Sequence, residues 1–209
     1  MNNNTTTTTT TTTATINDAA PTTDMVRVQA AINKLNASAD KDDLDAFIRG
    51  GRRSILLVDV SYSMIDGIRA GGRKIDALRK VVATLRESHP VPVAAFGVLD
   101  GDNGVALIND VPEPQGSTPM DRAIDFGRVQ GANHLVVVTD GQPDDAERTM
   151  RSAKLFGNPI DVFYVGDGQG RDFAKRLALS TGGQFHNSDL GAIKALATGI
   201  RLMLGDGTN

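Results

Sequence analysis

The chain of 209 residues contains no cysteine and no tryptophan. Without cysteine the protein cannot form disulfides, use a thiol nucleophile or bind a metal through thiolates. Aromatic residues make up only 4% of the sequence, so few rings are present to stack on nucleotide bases or sugars. These absences exclude several classes of enzyme and metal site. They are compatible with the cytoplasmic location that we expect.

The sequence also lacks an excess of positive charge and any long apolar run. The formal net charge is −3, so no basic field would attract DNA, RNA or an anionic membrane. No segment approaches the ~20 apolar residues that cross a bilayer, and the first residues lack the features of a secretory signal. We therefore expect no nucleic-acid or membrane partner. One group of basic residues is expected to lie on a helix face in contact with solvent rather than to bind a ligand: Arg69, Arg73, Lys74, Arg79 and Lys80.

Residues 1–23 are of low complexity and include an unbroken threonine run from Thr5 to Thr13. Such a tract buries too little apolar surface to offset the entropy lost on ordering, which predicts a flexible tail. Because threonine favours β-structure, ordering against a partner or another copy of the chain stays open as an alternative. A glycosylated stalk is a further alternative.

Residues 24–52 predict a helical extension of two short helices. The apolar residues of the first recur at helical spacing: Met25, Val28, Ile32 and Leu35. Asp24 is placed to cap this helix, and Gly50-Gly51 ends the second one. We expect the extension to pack on the domain that follows it. A role as an interaction arm is the alternative.

From Ser54 onward, predicted strands and helices alternate. Apolar runs predict strands at about 54–59, 92–99, 104–108, 134–139, 160–165 and 184–187. Helical periodicity predicts helices at about 73–88, 118–130, 143–156, 170–181 and 189–203. A hairpin sequence before Val105 makes the third strand an antiparallel edge strand. The sequence thus predicts an α/β domain over 53–204 and a short tail over 205–209. This domain is a doubly wound, mainly parallel six-stranded sheet with helices on both faces.

Three oxygen-bearing side chains follow the first predicted strand at alternating positions: Asp59, Ser61 and Ser63. In a turning segment, residues i, i+2 and i+4 can face one point. Carboxylate and hydroxyl oxygens suit Mg²⁺ or Mn²⁺ better than zinc or copper. Alone, the pattern is a weak indication, because Asp and Ser also form ordinary turns and caps.

Two further segments place polar residues at the same edge of the predicted sheet. Thr118 lies in a Gly-Ser-Thr-Pro sequence, where it would be the N-cap of a helix with Pro119 at its first position. Asp140 lies in a Thr-Asp-Gly sequence directly after a buried strand. In open parallel sheets, ligands bind beyond the carboxyl ends of the strands. Both Asp59 and Asp140 should lie there.

Five residues resemble, in type and in order, the metal-ion-dependent adhesion site of von Willebrand factor A (VWA) domains: Asp59, Ser61, Ser63, Thr118 and Asp140. The resemblance covers about residues 53–204, is of a bacterial or phage type, and implies a VWA/Rossmann-like fold. Tyr62 stands where a small residue is common in the family. Its ring is expected to line the approach to the metal.

The resemblance implies that these five residues hold Mg²⁺, with Mn²⁺ or Ca²⁺ as alternatives. In the family the serines bind the metal directly, the threonine directly or through water, and the aspartates often through water. A partner protein then completes the metal shell with an Asp or Glu. The residues expected to form the rim that selects this partner are Tyr62, Met64, the 66–73 loop, Pro119, Gln142 and Pro143.

The function implied is a metal-dependent protein-interaction module without catalytic residues. It would be an adaptor in a larger assembly, such as a bacterial ATPase or phage-associated complex. The alternative is a Mg²⁺-dependent nucleotide-binding protein or enzyme that uses the same site. A hydrolase with Ser61 as nucleophile would need a neighbouring histidine. We expect His134 at the opposite edge of the sheet from Asp59.

Overall fold

The computed structural model describes residues 53–68, 71–99, 103–166, 168 and 170–205. All of them belong to one unit of the chain, Asp40–Asn209. The predicted tail over 1–23, the helical extension over 24–52 and all but the first residue of the tail over 205–209 lie outside the described residues. What the sequence indicates for those segments stays a prediction.

A six-stranded sheet forms the centre of the described domain. Its strands are β1 (Ser54–Asp59), β2 (Val93–Phe96), β3 (Val105–Leu107), β4 (His134–Thr139), β5 (Ile160–Tyr164) and β6 (Phe185–Asn187). Their spatial order is β3-β2-β1-β4-β5-β6. Strand β3 runs antiparallel to β2, and all other neighbours are parallel. The predicted sheet, with one antiparallel edge strand, is confirmed.

Within the described ranges, five α-helices cover the two faces of this sheet, as predicted. They are α1 (Lys74–Ser88), α2 (Met120–Val129), α3 (Ala146–Phe156), α4 (Arg171–Ser180) and α5 (Ile193–Leu204). Helices α1 and α5 contribute to one apolar core, and α2, α3 and α4 contribute to the other. A 3₁₀ turn at Tyr62–Ile65, directly after β1, was not predicted. Among the described residues, no helix combines the length and apolar character needed to cross a membrane.

The central strands explain why the apolar runs in the sequence are continuous. Every residue of β1 is buried, because helices cover both faces of a parallel sheet. Leu56 and Val58 point into the core under α1 and α5, whereas Ile55 and Leu57 point into the other core. The same two-sided burial holds along β4. Because the two cores hold β1 and β4 in place, the sheet edge at which these two strands end is also held in place.

Three buried polar side chains join the amino-terminal ends of β1, β4 and β5. The Ser54 Oγ lies 2.9 Å from His134 Nδ1, and His134 Nε2 lies 2.9 Å from Asp161 Oδ2. The Ser54 hydroxyl also lies 3.3 Å from the carbonyl oxygen of Leu204. Although hydrolase triads use the same residue types, burial keeps a substrate away from this serine, so we assign the group a structural role. His134 pairs with Ser54 at the start of β1, which places it at the opposite edge from Asp59, as predicted.

Candidate metal centre

The predicted site residues lie where the strand order of the sheet reverses. Strands β1 and β4 are parallel neighbours in the middle of the sheet. Asp59 is the last residue of β1, and Asp140 follows the last residue of β4. After β1 the chain passes to α1 on one face, and after β4 it passes to α3 on the other. In open α/β sheets, the point at which the connections diverge in this way is the usual position of a ligand.

The buried carboxylate of Asp59 organises the loop that follows β1. It accepts hydrogen bonds from the backbone N–H of Ser61 at 2.9 Å and from the Thr139 hydroxyl at 2.6 Å. Burial, and then the nearby charge of Asp140, raise the pKa of Asp59 to about 6, although its hydrogen bonds oppose the shift. Two carboxylates close together in a desolvated place are unfavourable unless a cation accompanies them.

The side chains of Ser61, Ser63 and Asp140 form a hydrogen-bonded cluster. The hydroxyl oxygens of Ser61 and Ser63 lie 3.1 Å apart, and the Ser63 hydroxyl donates to Asp140 Oδ1 at 2.7 Å. The 3₁₀ turn after β1 brings Ser63 back beside Ser61. Together with the Asp59–Ser61 hydrogen bond, these contacts unite four of the five predicted residues.

The loop before α2 carries Thr118 and packs against the loop after β1. The Gln115 amide donates to the Val60 carbonyl at 2.7 Å. Gly97, with a φ of 94°, lies between the two loops. A Cβ at Gly97 would lie 2.7 Å from the Ser117 carbonyl oxygen and 3.1 Å from the Ser61 amide nitrogen. Only glycine permits this approach, and it brings the Thr118 segment to the edge of the cluster.

Asp144, in the loop before α3, positions the Thr118 segment. The Thr118 amide donates to Asp144 Oδ1 at 2.9 Å, and the Ser117 hydroxyl donates to Asp144 Oδ2 at 2.6 Å. The Asp144 amide in turn donates to the Thr118 carbonyl at 3.0 Å. This reciprocal contact fixes the backbone of Thr118. Sequence analysis missed Asp144, because nothing in its local sequence indicates a partner so far along the chain.

The prediction that Thr118 caps α2 is wrong. The helix begins at Met120 and Pro119 is its N-cap residue, without a side-chain capping bond. The Pro119 carbonyl accepts the first helical hydrogen bond, from the Ala123 amide at 3.1 Å. The Thr118 hydroxyl is therefore not used by the helix. Within the described part of the chain, no hydrogen bond joins this hydroxyl to the other four predicted ligands. The segment nevertheless contacts the loop after β1, because the Tyr62 amide donates to the Gly116 carbonyl at 3.3 Å.

Lys74 belongs to the cluster, contrary to the expectation that it solvates a helix face. Its Nζ lies 2.6 Å from Asp140 Oδ2, and 3.4 Å from both the Ser63 carbonyl oxygen and Asp66 Oδ2. Only 11% of the Lys74 side chain is exposed. Burial lowers the pKa of Lys74, but the carboxylates of Asp140 and Asp66 outweigh it and raise the pKa above its ordinary value. One feature of the sequence could have indicated this contact. Lys74 is at the first position of a predicted helix, where the helix dipole disfavours a cation.

The donor set fits a hard divalent cation. Every candidate ligand atom is a carboxylate or hydroxyl oxygen, as Mg²⁺ prefers. The described residues contain no group of three or more His, Cys, Asp or Glu that would hold a metal. The candidate site instead combines two carboxylates with hydroxyls. The Lys74 ammonium forms an ion pair with Asp140, so this carboxylate already binds a positive charge.

Exposed apolar side chains lie around the cluster. Tyr62 is 60% exposed and Ile65 is 47% exposed, both on the turn after β1. Leu99, beyond β2, is 68% exposed. The expectation that Met64 belongs to this rim is wrong, because its side chain is fully buried in the core under α1 and α5. The 3₁₀ turn points Met64 inward and leaves its neighbours outside.

A cleft of about 300 Å³ opens next to the Thr118 segment. Charged side chains of both signs line it: Asp121, Arg122, Asp144, Asp145 and Arg148. Leu99 and Pro119 add apolar surface to its wall. The cleft therefore borders the loop that carries Thr118, next to Gly116 and Ser117.

Comparisons with known proteins show the fold. No protein-family profile and no curated protein matches the sequence. A solved von Willebrand factor type A structure from Catenulispora acidiphila matches with a TM-score of 0.55 and 14% identity, over 74% of this chain and 42% of that one. Proximal thread matrix protein 1 from the mussel byssus matches with a TM-score of 0.52 and 13% identity, over 72% of this chain and 45% of that one. The chain thus spans less than half of these structures and has the fold of von Willebrand factor A domains.

Proposed function

We propose that the domain is a metal-dependent protein-interaction module. Mg²⁺, with Mn²⁺ or Ca²⁺ as alternatives, would be held by the five predicted residues: Asp59, Ser61, Ser63, Thr118 and Asp140. The observation that carries this proposal is the contact of Ser63 with both Ser61 and Asp140. Ser63 and Asp140, which are 77 positions apart in the chain, converge there, and the five predicted ligand side chains offer only oxygen atoms.

The charge balance of the cluster supports a cation. Asp59 and Asp140 both have buried carboxylates, and the charge of Asp140 contributes to the raised pKa of Asp59. Lys74 supplies one positive charge for two carboxylates. A divalent ion would stabilise both. Once bound, the ion supplies a positive centre that a carboxylate oxygen of another protein can ligate.

The surroundings of the cluster support a protein as the ligand. Tyr62, Ile65 and Leu99 expose large apolar side chains around it, and such residues are typical of the contact surface around a central polar anchor. An Asp or Glu of the partner would bind at the metal while these side chains contact the surface next to it. From the family resemblance we further propose a bacterial or phage adaptor in a larger assembly, such as an ATPase complex, in the cytoplasm.

We propose binding rather than turnover. The Ser63 hydroxyl donates to Asp140, but that carboxylate already forms an ion pair with Lys74, whereas a general base has to be free to accept the proton of the nucleophile. His134 lies at the other edge of the sheet, bonded to Ser54 and Asp161. An enzyme or nucleotide-binding protein would have to bind a nucleotide at the cluster in a Mg²⁺-dependent manner.

Direct titration of the full-length protein with Mn²⁺, followed by electron paramagnetic resonance, tests the metal site. We expect Asp59→Ala and Asp140→Ala each to weaken saturable binding. Asp110→Ala removes an exposed carboxylate and is the matched control that should bind as the wild type does. Equal Mn²⁺ binding by all four proteins would overturn the site.

Capture of proteins from a lysate in Mg²⁺ and in EDTA then tests the interaction. Proteins retained only in Mg²⁺ and lost from Asp140→Ala would support a metal-bridged partner. A partner that is retained equally in EDTA, or a nucleotide that binds the cluster with Mg²⁺, would contradict the proposal.

A further inference from the structure

The ammonium of Lys74 occupies an unusual place for a lysine. It is the first residue of α1, where the helix dipole opposes a positive charge. Its side chain is almost entirely withdrawn from water, which also disfavours the charged form. The contact with Asp140 Oδ2 at 2.6 Å compensates for both effects. The ammonium therefore contacts Asp140 although both the helix dipole and burial disfavour its charge.

A divalent cation and the Lys74 ammonium compete for the same carboxylate. Asp140 uses Oδ1 to accept from Ser63 and Oδ2 to accept from Lys74, so both of its oxygens are engaged. A metal ion held by this cluster would lie close to the ammonium, and repulsion between like charges is strong in a poorly solvated site. Metal binding and the present position of Lys74 are therefore mutually unfavourable.

A second carboxylate is within reach of the displaced ammonium. Asp66 Oδ2 lies 3.4 Å from Lys74 Nζ, and the Asp66 side chain is 69% exposed. The backbone of the two residues is also joined, because the Lys74 amide donates to the Asp66 carbonyl at 2.9 Å. A shift of the flexible lysine side chain towards Asp66 keeps an ion pair while it releases Asp140 and gains solvation.

We propose that Lys74 is a built-in competitor of the divalent cation: its ammonium neutralises Asp140 in the metal-free protein and moves towards Asp66 when a metal binds. This inference rests on the proposed function. Lys74 lowers the metal affinity and stabilises the metal-free domain. The module then acquires its metal only above a concentration threshold, or together with a partner carboxylate that adds affinity.

Mn²⁺ titrations of full-length variants test the competition. Lys74→Met removes the charge and keeps most of the apolar stem, and Lys74→Gln removes the charge but keeps a donor for Asp140. We expect both to bind Mn²⁺ more tightly than the wild type, on the order of tenfold or more. Lys74→Arg, which keeps the charge, should bind no more tightly than the wild type. Lys80→Met makes the same change at an exposed position of α1 and should have no effect.

The outcomes separate this inference from the proposed function. If the wild type binds Mn²⁺ at Asp140 and neither Lys74→Met nor Lys74→Gln binds it more tightly, the competition is overturned while the metal site stands. If no variant binds Mn²⁺, both are overturned. Tighter binding that persists in a Lys74→Gln, Asp140→Ala double variant would lie at another site and would also overturn the inference. Circular dichroism shows which variants are folded, and Lys74→Gln decides if Lys74→Met is not.

Discussion

The Thr139 hydroxyl donates a hydrogen bond of 2.6 Å to the buried carboxylate of Asp59. The two residues end β4 and β1, the central pair of strands. This contact joins the strands at the edge where the cluster lies. It also orients Asp59, whose other oxygen accepts from the Ser61 amide. The loop that carries the serines is therefore set by the protein itself.

Replacing this hydroxyl should destabilise the domain. Thr139→Val keeps the shape of the side chain but leaves Asp59 with one donor fewer in a buried place. Hydrogen bonds to charged groups contribute about 1.5–3 kcal/mol, so we expect a loss of that order in urea denaturation at pH 7. Thr139→Ser retains the hydroxyl and should lose less. A Thr139→Val protein as stable as the wild type would show that the contact adds nothing to folding.

The raised pKa of Asp59 predicts how the stability of the metal-free protein varies with pH. The folded protein binds this proton more tightly than the unfolded chain, since the pKa is about 6 in the fold and 3.8 in the reference state. The contribution of Asp59 is therefore most favourable below about pH 4 and is lost as the pH rises through about 6. The difference in pKa corresponds to about 3 kcal/mol.

Asp59→Asn isolates this effect from the other carboxylates. In EDTA at pH 7 the variant should be more stable than the wild type, because asparagine has no charge to bury. The advantage should shrink as the pH falls through about 6, where Asp59 becomes protonated in the fold, and level off below about 4, where it is also protonated in the unfolded chain. Urea unfolding curves of the two proteins at several pH values give the comparison. A difference that is constant with pH would mean that Asp59 titrates normally.

Sequence patterns predicted the fold because the central strands are buried on both faces. Continuous apolar runs such as Ile55–Val58 cannot form a half-exposed strand, and helical periodicity between them requires parallel pairing. The alternation of Asp59, Ser61 and Ser63 predicted a shared focus, which the structure shows for the serines.

Features that depend on long-range contacts could not be predicted from local sequence patterns. Thr118 has the local sequence of a cap, yet Asp144 and the close packing at Gly97 position it. Lys74 belongs to a basic segment that looks solvated, and only the fold brings Asp140 next to it. Met64 is two residues after the exposed Tyr62, but the 3₁₀ turn directs its side chain into the core. In each case the deciding partner is distant in sequence or the local turn is too short to have a period.

Removal of residues 1–23 should leave the folded domain and the proposed metal binding unchanged. The segment has no apolar periodicity that would pack against another element. Thermal melting of the full-length and truncated proteins measures this, because ~1 kcal/mol shifts the midpoint by a few degrees in a domain of this size. A truncated protein that melts several degrees lower would show that the threonine-rich segment contributes to the fold.

The helical extension predicted over residues 24–52 should behave differently, since the apolar stripe of its sequence needs a surface to pack on. If the extension packs on its own domain, Ile32→Asp buries a charge and should destabilise by ~2 kcal/mol or more. Asn33→Asp adds the same charge one position further along, away from the stripe, and serves as the control. A normally melting Ile32→Asp protein that loses an oligomeric or partner contact would identify an interaction arm instead.

Thr118 and Asp140 should separate metal affinity from partner capture. Asp140 accepts from Ser63 and Lys74 inside the cluster, so Asp140→Ala removes a charge that would retain the ion. The Thr118 hydroxyl is not used by α2, so Thr118→Ala should weaken partner capture more than Mn²⁺ affinity. Thr118→Ser keeps the hydroxyl and should restore capture. If Thr118→Ala and Asp140→Ala reduce Mn²⁺ affinity equally, Thr118 retains the ion as strongly as the carboxylate does, and the expected separation of the two roles is wrong.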